Sequence, residues 1–164
     1  MTLPKQLPLK LRKSGKTDVR TQFAALPFRM NGGDIEICLV TSRGSGRWIV
    51  PKGWPIHKET PARSAAIEAW EEAGLKGDPI DRCLGVFSYA KPVAGNPAPI
   101  VTLVYPLLVR KSKSNWPEKH ERRRKWFSRK KAARKVSEPA LKAIIESFSP
   151  KDSLSELPLR SAKD

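Results

Sequence analysis

The sequence predicts an α+β domain, on three observations. Its 164 residues suit a single domain with enough chain to bury a real core. Runs with the period of strands are interspersed with helical runs but do not alternate as βαβ units, which argues for an α+β or sandwich arrangement over a doubly wound sheet. No window approaches the apolar run of about 18 residues that spans a bilayer, so no membrane association is expected.

The elements follow in chain order. Residues 1–17 carry Pro and Lys without a sustained period and are expected to be a flexible basic arm. "VRTQFAALPFRM" (Val19–Met30) is strand-like, and "NGGD" (Asn31–Asp34) is a strong turn signal. Ile35–Ser42 alternates apolar and polar residues, the pattern of a strand with one buried face. The loop "RGSG" and a short strand, Arg47–Val50, come next. Thr60 is a good N-cap, with Pro61 at the first helical position, where a missing N–H does no harm. Alanine-rich helix formers run to Ala73, and Gly74 is placed to close the helix in the left-handed conformation. Arg82–Ala90 and Ile100–Arg110 read as strands separated by a Pro/Gly loop, and Lys125–Ser128 as a short strand. "RKKAARKVSEPALKAIIESF" gives a helical turn or two, a break near Pro139 and a final helix. The folded domain is therefore expected over residues 18–148, with 149–164 as a frayed tail.

Charge is the strongest bulk feature. Lys and Arg number 32 against 16 acids, a net +16, and such a field draws polyanions. Val109–Val136 alone holds thirteen Lys/Arg and two Glu, while the first twenty residues hold six bases and one Asp. The N-terminus is basic but has no apolar core or small-residue cleavage site, so no secretory signal is expected. Cys38 and Cys83 lie in strand-like runs without metal-ligand spacing and are read as reduced, buried thiols of a cytoplasmic protein.

Against this positive background, Glu68, Glu71 and Glu72 share one helix. Residues three and four apart are neighbours there, with Cβ atoms roughly 5–6 Å from each other, so Glu68 faces both of the others. Ala65, Ala69 and Ala73 offer a small, close-packing side. Carboxylate oxygens suit hard divalent cations such as Mg²⁺ or Mn²⁺, commonly completed by substrate phosphates. By spacing alone, a solvated acidic helix face paired with lysines is an equal alternative.

The whole stretch resembles the signature of the Nudix hydrolases, carried here by Gly53, Glu59, Ile67, Glu68, Ala69, Glu71, Glu72, Gly74 and Leu75 at every fixed spacing. The departure is Ile67, where the family usually has arginine; Arg63, one turn earlier, is a candidate substitute cation. The resemblance covers roughly residues 18–148. It implies the Nudix fold, a mixed β-sheet flanked by α-helices in an α/β/α sandwich, and a hydrolase of phosphoanhydrides using Mg²⁺ or Mn²⁺. Within the family, "RWIVPKGWP" and the later "ERRRKWFS" look most like diphosphoinositol-polyphosphate and dinucleoside-polyphosphate hydrolases.

The resemblance further implies that Glu68, Glu71 and Glu72 hold the ions, with the Gly53 carbonyl as an extra ligand. Glu68 is the chosen base toward the attacking water. Glu59 either braces the loop or touches metal through water. Glu118 and Glu121 are candidates for a further carboxylate, against a plain surface role. Arg47 and Lys52 flank the signature and are candidates to neutralise substrate phosphates; each is equally readable as a solvated charge. Trp48, Trp54 and Trp126 are candidates to stack a base or an inositol face, against a core role. His57 and His120 lack any partner spacing that suggests catalysis. The expected partner is a small phosphorylated anion, with 5′-triphosphorylated RNA as an alternative. A reading of another class is a basic nucleic-acid-binding module without chemistry, carried by Arg122–Lys125 and Arg129–Lys131. The retained glutamates favour the enzyme.

Overall fold

A run as apolar as Phe23–Phe28 makes a stable strand when both of its faces are covered. In the computed structural model both are. The structure describes residues 20–90 and 99–155, with Pro8 and Leu157; the expected basic arm, nearly all of the Pro/Gly loop and most of the tail lie outside the described residues.

β1 (Arg20–Asn31) sends Ala24, Leu26 and Phe28 into one core cluster and Phe23 and Ala25 into a second, as the two-residue period of a strand requires. β2 (Asp34–Thr41) does the same with Ile37 and Leu39 against Cys38 and Val40. The expectation of one buried face for this segment is thus corrected. Its second half is buried on both sides because helices cover both faces of the sheet. Gly32 and Gly33 make the turn between the two strands, with φ of +59° and +90°.

The remaining strands are β3 (Trp48–Ile49), β4 (Lys52–Gly53), β5 (Leu75–Pro79), β6 (Gly85–Ala90), β7 (Pro99–Ser112) and β8 (Arg124–Ser128). They form one mixed sheet ordered β3-β2-β1-β7-β5, with β4 on β1, β6 on β7 and β8 on β2. β1 and β7 run parallel from Arg20/Ile100 to Phe28/Leu108; the other pairs are antiparallel.

α1 (Pro61–Ala73) covers one face, burying Ala62, Ala65, Ala69 and Ala73 against Phe23, Ala25, Tyr105 and Leu107. These small side chains let the helix lie close to the sheet. α2 (Arg129–Lys135) and α3 (Pro139–Ser147) cover the other face through Ala132, Ala133, Leu141, Ile144 and Ile145. Each fully buried Leu or Ile contributes roughly 1.5–3 kcal/mol. α4 (Pro150–Leu154), a short helix with Ser153 buried, stands where a frayed tail is expected. Among the described residues, no helix is long and apolar enough to cross a membrane.

One feature of the sheet positions the site. β1 pairs with β2 from Phe28 to Asn31, but at Phe23–Ala24 its partner is β4. Where β1 and β2 part, Lys52 and Gly53 are delivered beneath α1.

Candidate functional site

The helix that carries the glutamates is fixed at both ends. Thr60 Oγ1 accepts the Arg63 N–H at 3.2 Å, a cap worth about 1 kcal/mol. The buried Ser64 hydroxyl accepts the Ile56 N–H at 3.2 Å and ties the preceding loop to the helix. Gly74 closes the helix at φ +67°, donating to the Trp70 carbonyl at 2.9 Å. Beneath the last turns lies Gly53, where an added Cβ would overlap the Glu68 carboxyl group. Two residues of the signature are therefore in mutual contact, and the glycine is required by that approach.

A cleft of about 680 Å³ brings together Glu68, Glu71 and Glu72 with Gly53, Lys52, Trp54 and Arg47. Glu118 joins them, its N–H donating to the Glu71 carbonyl at 3.0 Å. Glu59 does not line the cleft; it pairs with Arg63 at 3.0 Å. Glu121 pairs with Arg43 at 3.5 Å and is half exposed. Of the tryptophans, Trp54 is exposed at the cleft, whereas Trp48 packs edge-on against Phe127 and Trp126 lies under Arg29 at 4.0 Å. Cys38 is buried, and burial pushes its thiol up to about 12. Cys83 is exposed and precedes β6, which corrects the expectation of two buried thiols.

Glu72 is 6% exposed, accepts the Lys52 N–H at 3.3 Å and faces Arg122 Nη2 at 3.4 Å. Burial pushes its carboxyl up to about 7, against the opposing pull of Arg122 and Lys52. The Glu68 carboxyl is also pushed up to about 7, by burial first and then by Glu72 and Glu71. Burial holds Lys52 below the usual ammonium range; its Nζ lies 5.2 Å from the centre of the Tyr89 ring. An all-oxygen donor set of this kind fits a hard divalent cation. Among the described residues, no three carboxylate, imidazole or thiol side chains converge closely enough to chelate an ion as they stand. Glu72 is instead engaged with Arg122 and the Lys52 N–H, so capture of an ion requires the acids to turn inward.

Sequence reasoning missed how the basic segment 113–124 is used. It clamps the C-terminal carbonyls of α1: Trp116 Nε1 donates to Glu72 O at 3.1 Å, Arg124 Nη1 to Ala73 O at 2.7 Å and the Lys113 N–H to Gly74 O at 2.9 Å. Cationic donors are favourable there because the helix dipole leaves that end negative. The same segment delivers Glu118 and Arg122 to the cleft. The signal that points to such a cation is the isoleucine at position 67.

A family model described as the NUDIX domain matches residues 19–148. The chain is 36% identical over 106 residues to diphosphoinositol polyphosphate phosphohydrolase 3-alpha of Homo sapiens, a match covering 63% of this chain and 61% of that protein. The chain thus spans about three fifths of that relative's length. Among solved structures, an Ap4A hydrolase of C. elegans superposes with a TM-score of 0.60 at 20% identity, covering 81% of this chain and 97% of that one. A hydrolase from Nitrosomonas europaea superposes at 0.61 and 18% identity, covering 89% and 100%. These two likenesses carry the fold alone.

Proposed function

The chain belongs to the Nudix family, and from that premise we propose that it is a divalent-cation-dependent hydrolase of phosphoanhydrides acting on a highly anionic substrate, a diphosphoinositol polyphosphate or a close relative. We place the activity in residues 18–148. The observation that carries the proposal is that one cleft is lined by Glu68, Glu71, Glu72 and Glu118 together with Lys52 and Arg47, with the Glu68 carboxyl lying against Gly53.

A bound Mg²⁺ or Mn²⁺ would lower the pKa of its water and neutralise phosphate oxygens. The protein's own groups do the rest. Glu68, Glu71, Glu72 and Glu118 would supply the anionic oxygens that hold the ion, with the Gly53 carbonyl as an extra ligand. Glu68 takes the proton of the attacking water. Lys52 and Arg47 face the same cleft and balance phosphate charge as it shifts toward the leaving group. Attack falls on phosphorus directly, with no protein nucleophile. Similarity to a diphosphoinositol polyphosphate phosphohydrolase and the net charge of +16 support the choice of substrate.

A second reading, a dinucleoside polyphosphate or 5′-triphosphorylated RNA as substrate, is favoured by Trp54, 43% exposed at the rim and able to stack a base. The test is turnover of inositol pyrophosphates, dinucleoside polyphosphates and triphosphorylated RNA in Mg²⁺. The proposal expects the inositol pyrophosphate to be cleaved best, and Glu71→Gln and Glu72→Gln each to lose at least about 100-fold in kcat with the fold intact. Wild-type turnover in both variants would overturn it. RNA binding with no turnover of any member would favour the non-catalytic module instead.

A further inference from the structure

We propose that Arg122 is the positioning residue of the carboxylate cluster, supplying from the 113–124 segment the cation that the signature would place at position 67 of the helix. The inference rests on the hydrolase reading above. Ile67 brings no charge to the cleft; it lines a separate groove with Arg63, Ala66 and Trp70. Arg63 is spent on Glu59.

Arg122, by contrast, points its guanidinium in three fixed directions. Nη2 faces Glu72 at 3.4 Å, Nε donates to Glu118 at 3.1 Å and Nη1 donates to the Thr41 carbonyl at 3.1 Å. Its side chain is 6% exposed. The bond to Thr41 matters most, because it anchors the guanidinium to the end of β2 instead of leaving it to follow the acids. Glu72 comes from α1 and Glu118 from the segment that clamps it, so one rigid fork registers both acids against the sheet. An ammonium has no planar fork and cannot serve all three partners in this way. Before an ion enters, Arg122 is also the buried counter-charge that lets these acids stay close, and an incoming ion competes with it for Glu72.

The test compares wild type with Arg122→Gln and Arg122→Lys. Melting is followed in EDTA and in Mn²⁺, and turnover of a diphosphoinositol polyphosphate is followed in Mg²⁺. In EDTA, Arg122→Gln is expected to melt roughly 5–10 °C below wild type. Mn²⁺ should then raise its melting temperature by more than it raises that of wild type, because the ion replaces the missing counter-charge. Its kcat should fall about 10–100-fold with KM changed by less than about threefold. Arg122→Lys keeps the charge without the fork and should still lose about tenfold in kcat, so it decides the matter alone if the glutamine variant does not fold. Equal Mn²⁺ increments with unchanged kcat would overturn the proposal. So would a raised KM with intact kcat, the mark of a substrate contact, or full wild-type kcat in Arg122→Lys. If wild type shows neither Mn²⁺ stabilisation nor turnover, the hydrolase reading falls and this inference with it.

Discussion

At Gly53 the absence of a side chain is what lets a strand and a carboxylate meet. Since a Cβ there would overlap the Glu68 carboxyl, Gly53→Ala must displace that group from its place over β4. The carboxyl has an open cleft to swing into, so the melting temperature should barely move while kcat drops about 100-fold. Steady-state kinetics and a thermal melt on one preparation check both halves. A second consequence lies in the protons of Glu68 and Glu72. Both carboxyls are raised from 4.5 to about 7, by burial first, so the folded chain holds protons that the unfolded chain has released. Their contribution to stability is complete below about pH 4.5 and is lost as pH rises through about 7. The melting temperature in EDTA should therefore decline across that window, and Glu72→Gln should flatten the decline; a rising curve would contradict the burial argument. These acids were legible in the sequence because a fixed spacing on a helix needs no tertiary information. Arg122 was not: it is one of thirteen bases between Val109 and Val136, and its contact with Glu72 spans fifty positions, so only folding reveals which base is buried.

The C-terminal end of α1 shows the same division among elements. The helix caps, Thr60 at the start and Gly74 at the end, follow from local chemistry and stand where the sequence places them. The clamp formed by Trp116 and Arg124 is nonlocal. Trp116 Nε1 bonds the Glu72 carbonyl, the tryptophan ring lies against Gly74, and Arg124 stacks over that ring at 4.2 Å while bonding Ala73. Arg124→Ala should thus cost about 1–3 kcal/mol of stability, read as a lower urea midpoint with an unchanged slope. An unaltered midpoint would mean that the clamp contributes nothing to the fold. The strands divide in the same way. β1, β2, β3, β6, β7 and β8 are legible as short strand-like runs set off by turns and loops. β5 is not, since "LKGDP" reads as a turn; it is held as a strand by β7, with a register shift between Lys76 and Gly77, and a Cβ at Gly77 would overlap the Leu108 carbonyl oxygen.

For the molecule as a whole, the chain carries a net charge of +16, and the cleft that holds the glutamates is also lined by Arg43, Arg47, Lys52 and Arg122. That arrangement attracts a polyanion over distance and keeps a small acidic interior for a cation. Because screening weakens the long-range part, raising the salt from about 0.05 to about 0.5 M should raise KM for an anionic substrate while kcat holds. A flat KM would remove the surface charge from the account. Within that cleft, the proposed chemistry requires the glutamates of α1 to share a divalent cation. The most direct measurement is anomalous scattering from crystals soaked in Mn²⁺. A peak is expected between the carboxylates of Glu68, Glu71 and Glu72, beside the Gly53 carbonyl. A soaked crystal with those oxygens turned to solvent, and its anomalous signal elsewhere or absent, would contradict it.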